Sequence, residues 1–116
     1  MSKRIWILGV VMLAVSSIVI AQSAKEKMGD SFFKGFDFKT ALTYYGGAIK
    51  RDSGNSALRQ KIADCYRLMN DWESAEIWYA KTANDAGLKP ENKLYYAEAL
   101  RSNQKYAEAK PYYKAY

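Results

Sequence analysis

The sequence contains no histidine, and it also lacks a glycine-rich phosphate loop. The stretch GDSFFKG (29–35) has two glycines, but they do not have the spacing that cradles a phosphate. We find no nucleophile–base pair and no cluster of metal-ligand residues. These absences predict a protein that is not an enzyme and that uses no cofactor or metal.

Cysteine is scarce as well, because Cys65 is the only one among 116 residues. A single cysteine cannot form a disulfide within the chain. We predict that Cys65 is a small buried hydrophobic residue. A bridge to another chain is the alternative.

A strong excess of one charge sign is also missing. The chain has 18 Lys and Arg against 12 Asp and Glu, a formal net charge of +6, and the basic residues are spread along it. This distribution is typical of a solvated surface. Because there is no basic stripe, we predict no binding to nucleic acid.

The long hydrophobic run of the sequence lies at its N-terminus. The chain opens with MSKR, continues with mainly apolar residues over 5–20, and then reads AQ. This is the layout of a secretory signal, with Val19 and Ala21 at the small-residue positions before a cut at Gln22. We predict a signal peptide at 1–21. An uncleaved membrane anchor is the alternative, although this run is shorter than the roughly 20 residues that a span needs.

The rest of the chain repeats at a constant interval, which three alanines mark: Ala41, Ala75 and Ala109. An aromatic residue lies three residues before each alanine, and two adjacent aromatic residues lie three and four residues after it. These are Phe38, Trp72 and Tyr106, then Tyr44-Tyr45, Trp78-Tyr79 and Tyr112-Tyr113. Twelve before each alanine is a small residue with a large apolar one three later, namely Gly29/Phe32, Ala63/Tyr66 and Ala97/Leu100. A fixed interval of this length indicates a repeat architecture.

The spacings within each copy predict two helices joined by a short turn. The predicted first helices are Ser23–Lys34, Ala57–Met69 and Glu91–Ser102, and the second helices are Lys39–Arg51, Glu73–Asp85 and Ala107 onward. Gly87 suits a helix C-terminus and Pro90 a first helical position.

The aromatic columns predict a core rather than a binding patch. The small residues let two helices approach, and the rings fill the space between neighbouring pairs. We therefore place Trp72 and Tyr79 in the core. The positions of Tyr44, Trp78 and Tyr112 stay open, because one of two adjacent helix residues usually faces away from the closest contact.

These columns resemble the tetratricopeptide repeat (TPR), a helix–turn–helix unit whose length equals the interval between the three alanines. The resemblance implies an all-α, TPR-like α-solenoid of about three repeats over 22–116, at about 22–55, 56–89 and 90–116, with the last one incomplete. The chain departs from the family in several places, and the proline usual between units is missing at Ser53 and displaced to Pro90. The chain also has Lys25, Arg59 and Lys93 where a large residue is usual, two glycines inside a second helix at 46–47, and Pro111 near the first turn of the last helix. The glycine pair either weakens its helix or admits a closely packed neighbour.

The stretch NKLYYAEALRSNQKYAEAKPYYK more loosely resembles the N-terminal repeat region of certain cell-envelope proteins. In those proteins a β-propeller and an OmpA-like peptidoglycan-binding domain follow, and some belong to type IX secretion and gliding machineries. This resemblance implies export to the periplasm, association with the outer membrane, and membrane contact only through the signal segment or an outer-membrane partner. Because the third copy stops within a helix and lacks a polar cap, we expect the N-terminal piece of a longer protein. The oligomeric state stays open.

The family resemblance implies a scaffold that binds a partner protein through the groove of the repeats. A rigid structural arm, with the groove filled by later domains of the same protein, is the alternative. The groove residues that we predict follow the small-residue column: Asp30, Phe33, Asp64, Arg67, Glu98 and Arg101. The acidic members, Asp30, Asp64 and Glu98, are called the ladder acids below. The other interpretation is a solvated face with local pairs Asp64–Arg67 and Glu98–Arg101. Because Glu26, Asp30 and Asp64 are acidic, we do not predict recognition of an acidic C-terminal tail.

Overall fold

The computed structural model describes residues 24–85 and 89–115, which form six α-helices and no strand. The all-α prediction is confirmed. The predicted signal peptide and Gly87 lie outside the described residues. None of the helices in the described part is both long and apolar enough to cross a membrane. The helices are α1 (24–34), α2 (Phe38–Ile49), α3 (Ser56–Leu68), α4 (Trp72–Ala80), α5 (Glu91–Ser102) and α6 (Tyr106–Ala115).

Each helix packs on the next one along the chain. The contacts of α3 with α4 and of α5 with α6 form two helical hairpins, and the contacts of α2 with α3 and of α4 with α5 join neighbouring hairpins. The hairpin of α1 and α2 is held by the stacked rings of Phe32 and Tyr44, whose centroids are 5.5 Å apart. This sequential packing confirms the predicted α-solenoid.

The three turns within the hairpins share one backbone conformation. Phe36, Asn70 and Gln104 occupy the same position in successive repeats, and their φ values are 62°, 61° and 64°. In each turn, the N–H of this residue donates to the carbonyl three residues before it. The next N–H donates to the carbonyl five residues before itself. This is the Schellman pattern, which ends a helix through one residue in the left-handed region.

An aspartate follows the first two turns and starts the next helix. Asp37 Oδ1 accepts from the backbone N–H of Thr40 at 3.1 Å, and Asp71 Oδ1 accepts from that of Ser74 at 3.2 Å. These are N-caps, which satisfy donors left free at a helix start. The third turn has Lys105 at this position, and its side chain has no acceptor with which to cap α6.

The predicted small residues lie where helices touch. Five alanines of these columns are at most 1% exposed: Ala41, Ala63, Ala75, Ala97 and Ala109. Gly29 makes the tightest approach, because a Cβ there would lie 2.5 Å from Cε1 of Tyr45. The ring of Tyr45 therefore rests directly on the backbone of α1.

The aromatic residues divide between core and edge. Tyr79 is fully buried with Ala63 and Ala75, as predicted, and Trp72 is half-buried against this cluster. The three residues whose positions stayed open, Tyr44, Trp78 and Tyr112, are all half-buried. Cys65 is buried in the first cluster, as predicted, and burial raises the pKa of its thiol to about 12.

The predicted end of α4 is wrong, because this helix stops at Ala80 rather than at Asp85. The N–H groups of Thr82 and Ala83 both donate to the carbonyl of Tyr79, at 3.0 and 2.8 Å. The Thr82 hydroxyl donates to the same carbonyl at 3.2 Å. Three donors on one acceptor tighten the chain into a turn, in which a threonine side chain competes with the regular helical bonds.

Proline and glycine inside the second helices have different surroundings. Because α6 begins at Tyr106, one residue earlier than predicted, Pro111 is its sixth residue and lies beyond the first turn. It cannot donate the helical bond of that position. In α2, the Lys25 side chain packs 3.4 Å from where a Cβ of Gly47 would stand, whereas Gly46 has open space at that point. A close neighbour therefore accounts for Gly47 but not for Gly46.

One buried polar residue interrupts the packing between the second and third hairpins. Asn92 is 2% exposed, and neither its side-chain nitrogen nor its oxygen has a hydrogen-bond partner among the described residues. In the preceding copy the same position is Leu58, which belongs to the core. Asn92 also lines a cavity of about 250 Å³. This junction therefore buries an unpartnered polar side chain where the junction before it buries an apolar one.

Candidate functional site

The six predicted groove residues all lie on the first helices of the hairpins, which are neighbours in space. Lys61 of α3 bonds to Asp30 of α1, and the guanidinium of Arg67 lies 3.9 Å above the ring of Tyr95 on α5. The side formed by α1, α3 and α5 is called the first-helix face below. Its predicted residues are Asp30 and Phe33 on α1, Asp64 and Arg67 on α3, and Glu98 and Arg101 on α5.

In the first copy, Asp30 is held from two sides. The Tyr45 hydroxyl donates to its Oδ1 at 2.5 Å, and Lys61 Nζ lies 3.0 Å from the same oxygen. Lys61 also bonds to Glu26 Oε1 at 2.9 Å. Burial alone would lower the pKa of Lys61, but the hydrogen bonds to Glu26 and Asp30 raise it above its ordinary value. Two acids and one cation therefore form a fixed charged cluster between α1 and α3.

The second copy repeats the contact between a tyrosine and an acid, with a different cation. The Tyr79 hydroxyl donates to Asp64 Oδ1 and accepts from Arg67 Nε at 2.9 Å. Arg67 Nη2 lies 3.6 Å from Asp64 Oδ1, so the predicted local pair is present. Burial raises the pKa of Asp64, and the bonds from Tyr79 and Arg67 offset this only in part. Tyr95 replaces Lys61 at the equivalent position and carries the guanidinium on its ring.

In the third copy, the same side chains are less constrained. Tyr113, the equivalent of Tyr45 and Tyr79, is 37% exposed. Among the described residues, no ion pair joins Glu98 to Arg101, so the second local pair is not observed. Arg101 is exposed. The third copy therefore presents Arg101 to solvent, whereas Glu98 is half-buried.

Sequence reasoning missed the hydroxyls of Tyr45 and Tyr79, because it assigned both residues to the core alone. Their rings are core, but their hydroxyls reach the acids of the first-helix face. A signal for this was present, since each ladder acid precedes a tyrosine by the same spacing, at 30 and 45, 64 and 79, and 98 and 113. Lys61, Glu26 and Tyr95 were also missed.

The arrangement gives the first-helix face fixed hydrogen-bonding groups of both charge signs. The Asp30 side chain keeps 38% of its surface exposed, and Asp64 and Arg67 each keep 19%. Such preformed polar groups suit recognition of another polypeptide, because little side-chain entropy remains to be lost on binding. Among the described residues, no group of three or more Cys, Asp or Glu side chains is placed to hold a metal ion.

A surface cavity of about 600 Å³ lies away from this face, between α4 and the turn before α6. Of its charged groups, Glu76 and Lys105 are paired with each other, whereas Glu73 is in no ion pair among the described residues. Glu76 accepts from Asn103 Nδ2 at 3.1 Å and from Lys105 Nζ at 2.7 Å, and Asn103 also donates to the carbonyl of Trp72 at 2.9 Å. These bonds join the second hairpin to the third, which indicates a structural role.

Comparison with known proteins finds a relative in sequence and several solved structures of similar fold. No protein-family model matches the chain. Over 63 residues it is 35% identical to Stress-induced-phosphoprotein 1 of Caenorhabditis elegans, a match that covers 54% of this chain. The chain spans only 19% of the length of that protein.

Solved structures superpose over most of the chain. The second TPR of Spaghetti (RPAP3) bound to the HSP90 peptide SRMEEVD has a TM-score of 0.73 and 22% identity, covering 81% of this chain and 87% of that one. The Yersinia enterocolitica type III secretion chaperone SycD, in complex with a peptide of the translocator YopD, has a TM-score of 0.71 and 16% identity, covering 80% and 71%. Together with the regular sequence period and the sequential hairpins, these likenesses show that the chain has the fold of a tetratricopeptide repeat domain.

Proposed function

We propose that this chain is a protein-interaction scaffold that binds a segment of a partner protein along its first-helix face. The observation that carries the proposal is the repeated contact between a buried tyrosine and a ladder acid. Tyr45 holds Asp30 and Tyr79 holds Asp64, each in the same geometry one repeat apart. A surface that keeps its polar groups at a fixed interval is suited to an elongated ligand, as in other solenoids.

The solved neighbours support a peptide as the ligand. The RPAP3 domain is bound to an HSP90 peptide, and SycD is in complex with a peptide of YopD. These are a peptide-bound repeat domain and a chaperone, which agrees with an interaction module rather than an enzyme.

The charges of the face bear on the kind of peptide. Glu26 and Asp30 place two carboxylates on α1, with only Lys61 between them. A carboxylate would meet repulsion at these two acids, so we propose a segment that presents donors or cations to Glu26 and Asp30. At the other end, the exposed Arg101 suits an acceptor on the partner.

The cellular setting that we propose rests on the sequence. The basic start, the apolar run over 5–20 and the small residues before Gln22 have the layout of a secretory signal. We therefore propose an exported scaffold of the bacterial cell envelope, acting in the periplasm as part of a larger assembly at the outer membrane.

The test uses exposed groups whose replacement leaves the tyrosine contacts intact. Changing Asp30 or Asp64 to Lys would break a tyrosine contact, so a loss of binding could then reflect unfolding. Arg101→Glu avoids this, because Arg101 is exposed and is in no ion pair among the described residues. Glu73→Lys on α4 is the control, as an exposed charge reversal off the first-helix face.

The measurement is capture of the partner from an envelope extract of the source organism by the purified chain, alongside the urea midpoint of each variant. We expect Arg101→Glu to lower recovery of the partner at least several-fold and Glu73→Lys to recover it fully, with a similar small decrease of both midpoints, because each reversal opposes the dipole of its helix. Equal recovery by all three proteins would contradict binding at this face.

A further inference from the structure

Phe36, in the turn between α1 and α2, combines two unfavourable properties. It is 81% exposed, so the ring gains little from burial. Its φ of 62° lies in the left-handed region, where a side chain costs conformational energy and glycine or asparagine is preferred. The equivalent residues of the next two turns, Asn70 and Gln104, are polar with the same backbone. The turn therefore does not need an aromatic residue at this position.

Phe36 extends a group of rings that reaches the first-helix face. Its centroid lies 6.2 Å from that of Phe38, edge to face, and Phe38 lies 5.1 Å from Phe33. The phenylalanine cluster is defined here as Phe33, Phe36 and Phe38. Phe33 and Phe38 are half-buried against the core, which leaves Phe36 as the exposed end. Phe33 is also one of the six residues predicted to face a partner.

The charges around the cluster are mainly positive. Lys34 and Lys39 are exposed on either side of the turn. Asp37, the acid of this turn, is also exposed; it caps α2 through the N–H of Thr40, and the cap and Lys39 lower its pKa, so the two lysines exceed it by one positive charge. An apolar surface with exposed lysines just before and just after its turn in the chain is complementary to an apolar side chain with carboxylates beside it.

We propose that the phenylalanine cluster docks one aromatic or large aliphatic side chain of the partner segment, and that acidic residues next to it in the partner pair with Lys34 and Lys39. The inference rests on the proposed function, since this cluster continues the first-helix face at the end of α1. It specifies the chemistry of the partner at that end: an apolar anchor between carboxylates.

The key variant is Phe36→Asn, which places in this turn the residue that the second turn already uses. If Phe36 serves only the fold, this change exposes Phe38 and lowers stability. If Phe36 serves binding, stability is kept or raised while affinity falls. Ile77→Asn is the matched control, because Ile77 is also an exposed apolar residue, at 57%, but lies on α4.

The probe is a fluorescein-labelled synthetic peptide with one tryptophan between two pairs of glutamates, titrated with the full-length chain and followed by anisotropy. Companion peptides replace tryptophan by alanine or the glutamates by lysines. Burial of one ring is worth at least a factor of about ten in affinity. We expect Phe36→Asn and the double change Lys34→Glu with Lys39→Glu each to weaken binding of the acidic peptide about tenfold, while Ile77→Asn leaves it unchanged.

Several results would overturn this inference. One is equal affinity of the wild type for the acidic peptide and for the lysine peptide. Another is equal affinity of Phe36→Asn and the wild type for the acidic peptide. A third is a lower urea midpoint of Phe36→Asn without a change in its affinity for the acidic peptide. Sedimentation with phosphatidylglycerol vesicles that depends on Phe36, without binding of the peptide, would assign the cluster to a lipid surface instead. If Arg101→Glu abolishes partner capture but Phe36→Asn does not, the proposed function stands and this inference fails. If neither variant changes capture, both fail.

Discussion

Removing one hydroxyl from Tyr79 tests whether the tyrosine contacts hold the first-helix face together. In the Tyr79→Phe variant, Asp64 loses a donor and Arg67 Nε loses an acceptor at 2.9 Å. Hydrogen bonds to charged groups contribute about 1.5–3 kcal/mol each. Water reaches these groups only in part, because both side chains are 19% exposed, and they keep their own contact at 3.6 Å. We therefore expect the unfolding free energy to fall by about 2 kcal/mol, well below the sum of two such bonds.

The same change at the two equivalent tyrosines provides an internal scale. Tyr45→Phe leaves Asp30 bonded to Lys61 and 38% exposed, so the expected loss is smaller, about 1 kcal/mol. Tyr113 is 37% exposed, and we expect Tyr113→Phe to cost less than about 0.5 kcal/mol. The assay is urea unfolding followed by far-ultraviolet circular dichroism, which reports the loss of helix. Equal losses at all three positions, or none at Tyr79, would contradict a stabilising role of these hydroxyls.

Three further results are expected. Gly29→Ala should lower the unfolding free energy by about 1–3 kcal/mol, because its Cβ would strike the buried ring of Tyr45. Gly46→Ala has open space around the new Cβ and should raise the unfolding free energy by about 0.5–1 kcal/mol. Thermal and urea unfolding measure both changes, and the same sign for both would contradict the packing described. Asn92→Leu should raise the unfolding free energy by about 1–3 kcal/mol by removing two unpaired buried polar atoms, and a loss in the same assay would contradict it. Carbon NMR titration should place the pKa of Asp37, lowered by its bonds to Thr40, below 3.8 and that of Asp64, raised by burial, above 3.8. The stability that the Asp37 cap provides is then lost as the pH falls through the pKa of Asp37 in the folded protein. The cost of ionising buried Asp64 appears as the pH rises through the pKa of Asp64 in the folded protein. A pKa of Asp37 above that of Asp64 would contradict this.

The columns of small and aromatic residues predicted the fold well, because they record helix contacts that recur at every repeat. Ala63 and Ala97 are buried, and Tyr79 is core, because each lies at a helix crossing that the period alone locates. The end of α4 could not be predicted in this way. It depends on Thr82, whose hydroxyl competes for a backbone carbonyl, and this local effect leaves no periodic trace.

The candidate site could be predicted only in part. The period placed Asp30 and Asp64 on the first helices, which the structure confirms, but it could not show what each acid bonds to. A tyrosine buries its ring and keeps a polar hydroxyl, so a pattern of apolar positions records the ring alone. The exposure of Phe36 was equally hidden, because its turn looks like a simple polar break in the repeat. The role of the six residues in binding a partner stays a prediction.

The most direct test of a partner-binding first-helix face is site-specific photo-crosslinking. A benzoylphenylalanine is placed at position 101 on α5 or at position 73 on α4, both of which are exposed. The full-length chain is then irradiated in an envelope extract of the source organism, and crosslinked proteins are identified by mass spectrometry. We expect one defined protein adduct from position 101 that position 73 does not give. A defined adduct from position 73, with none from position 101, would contradict this expectation.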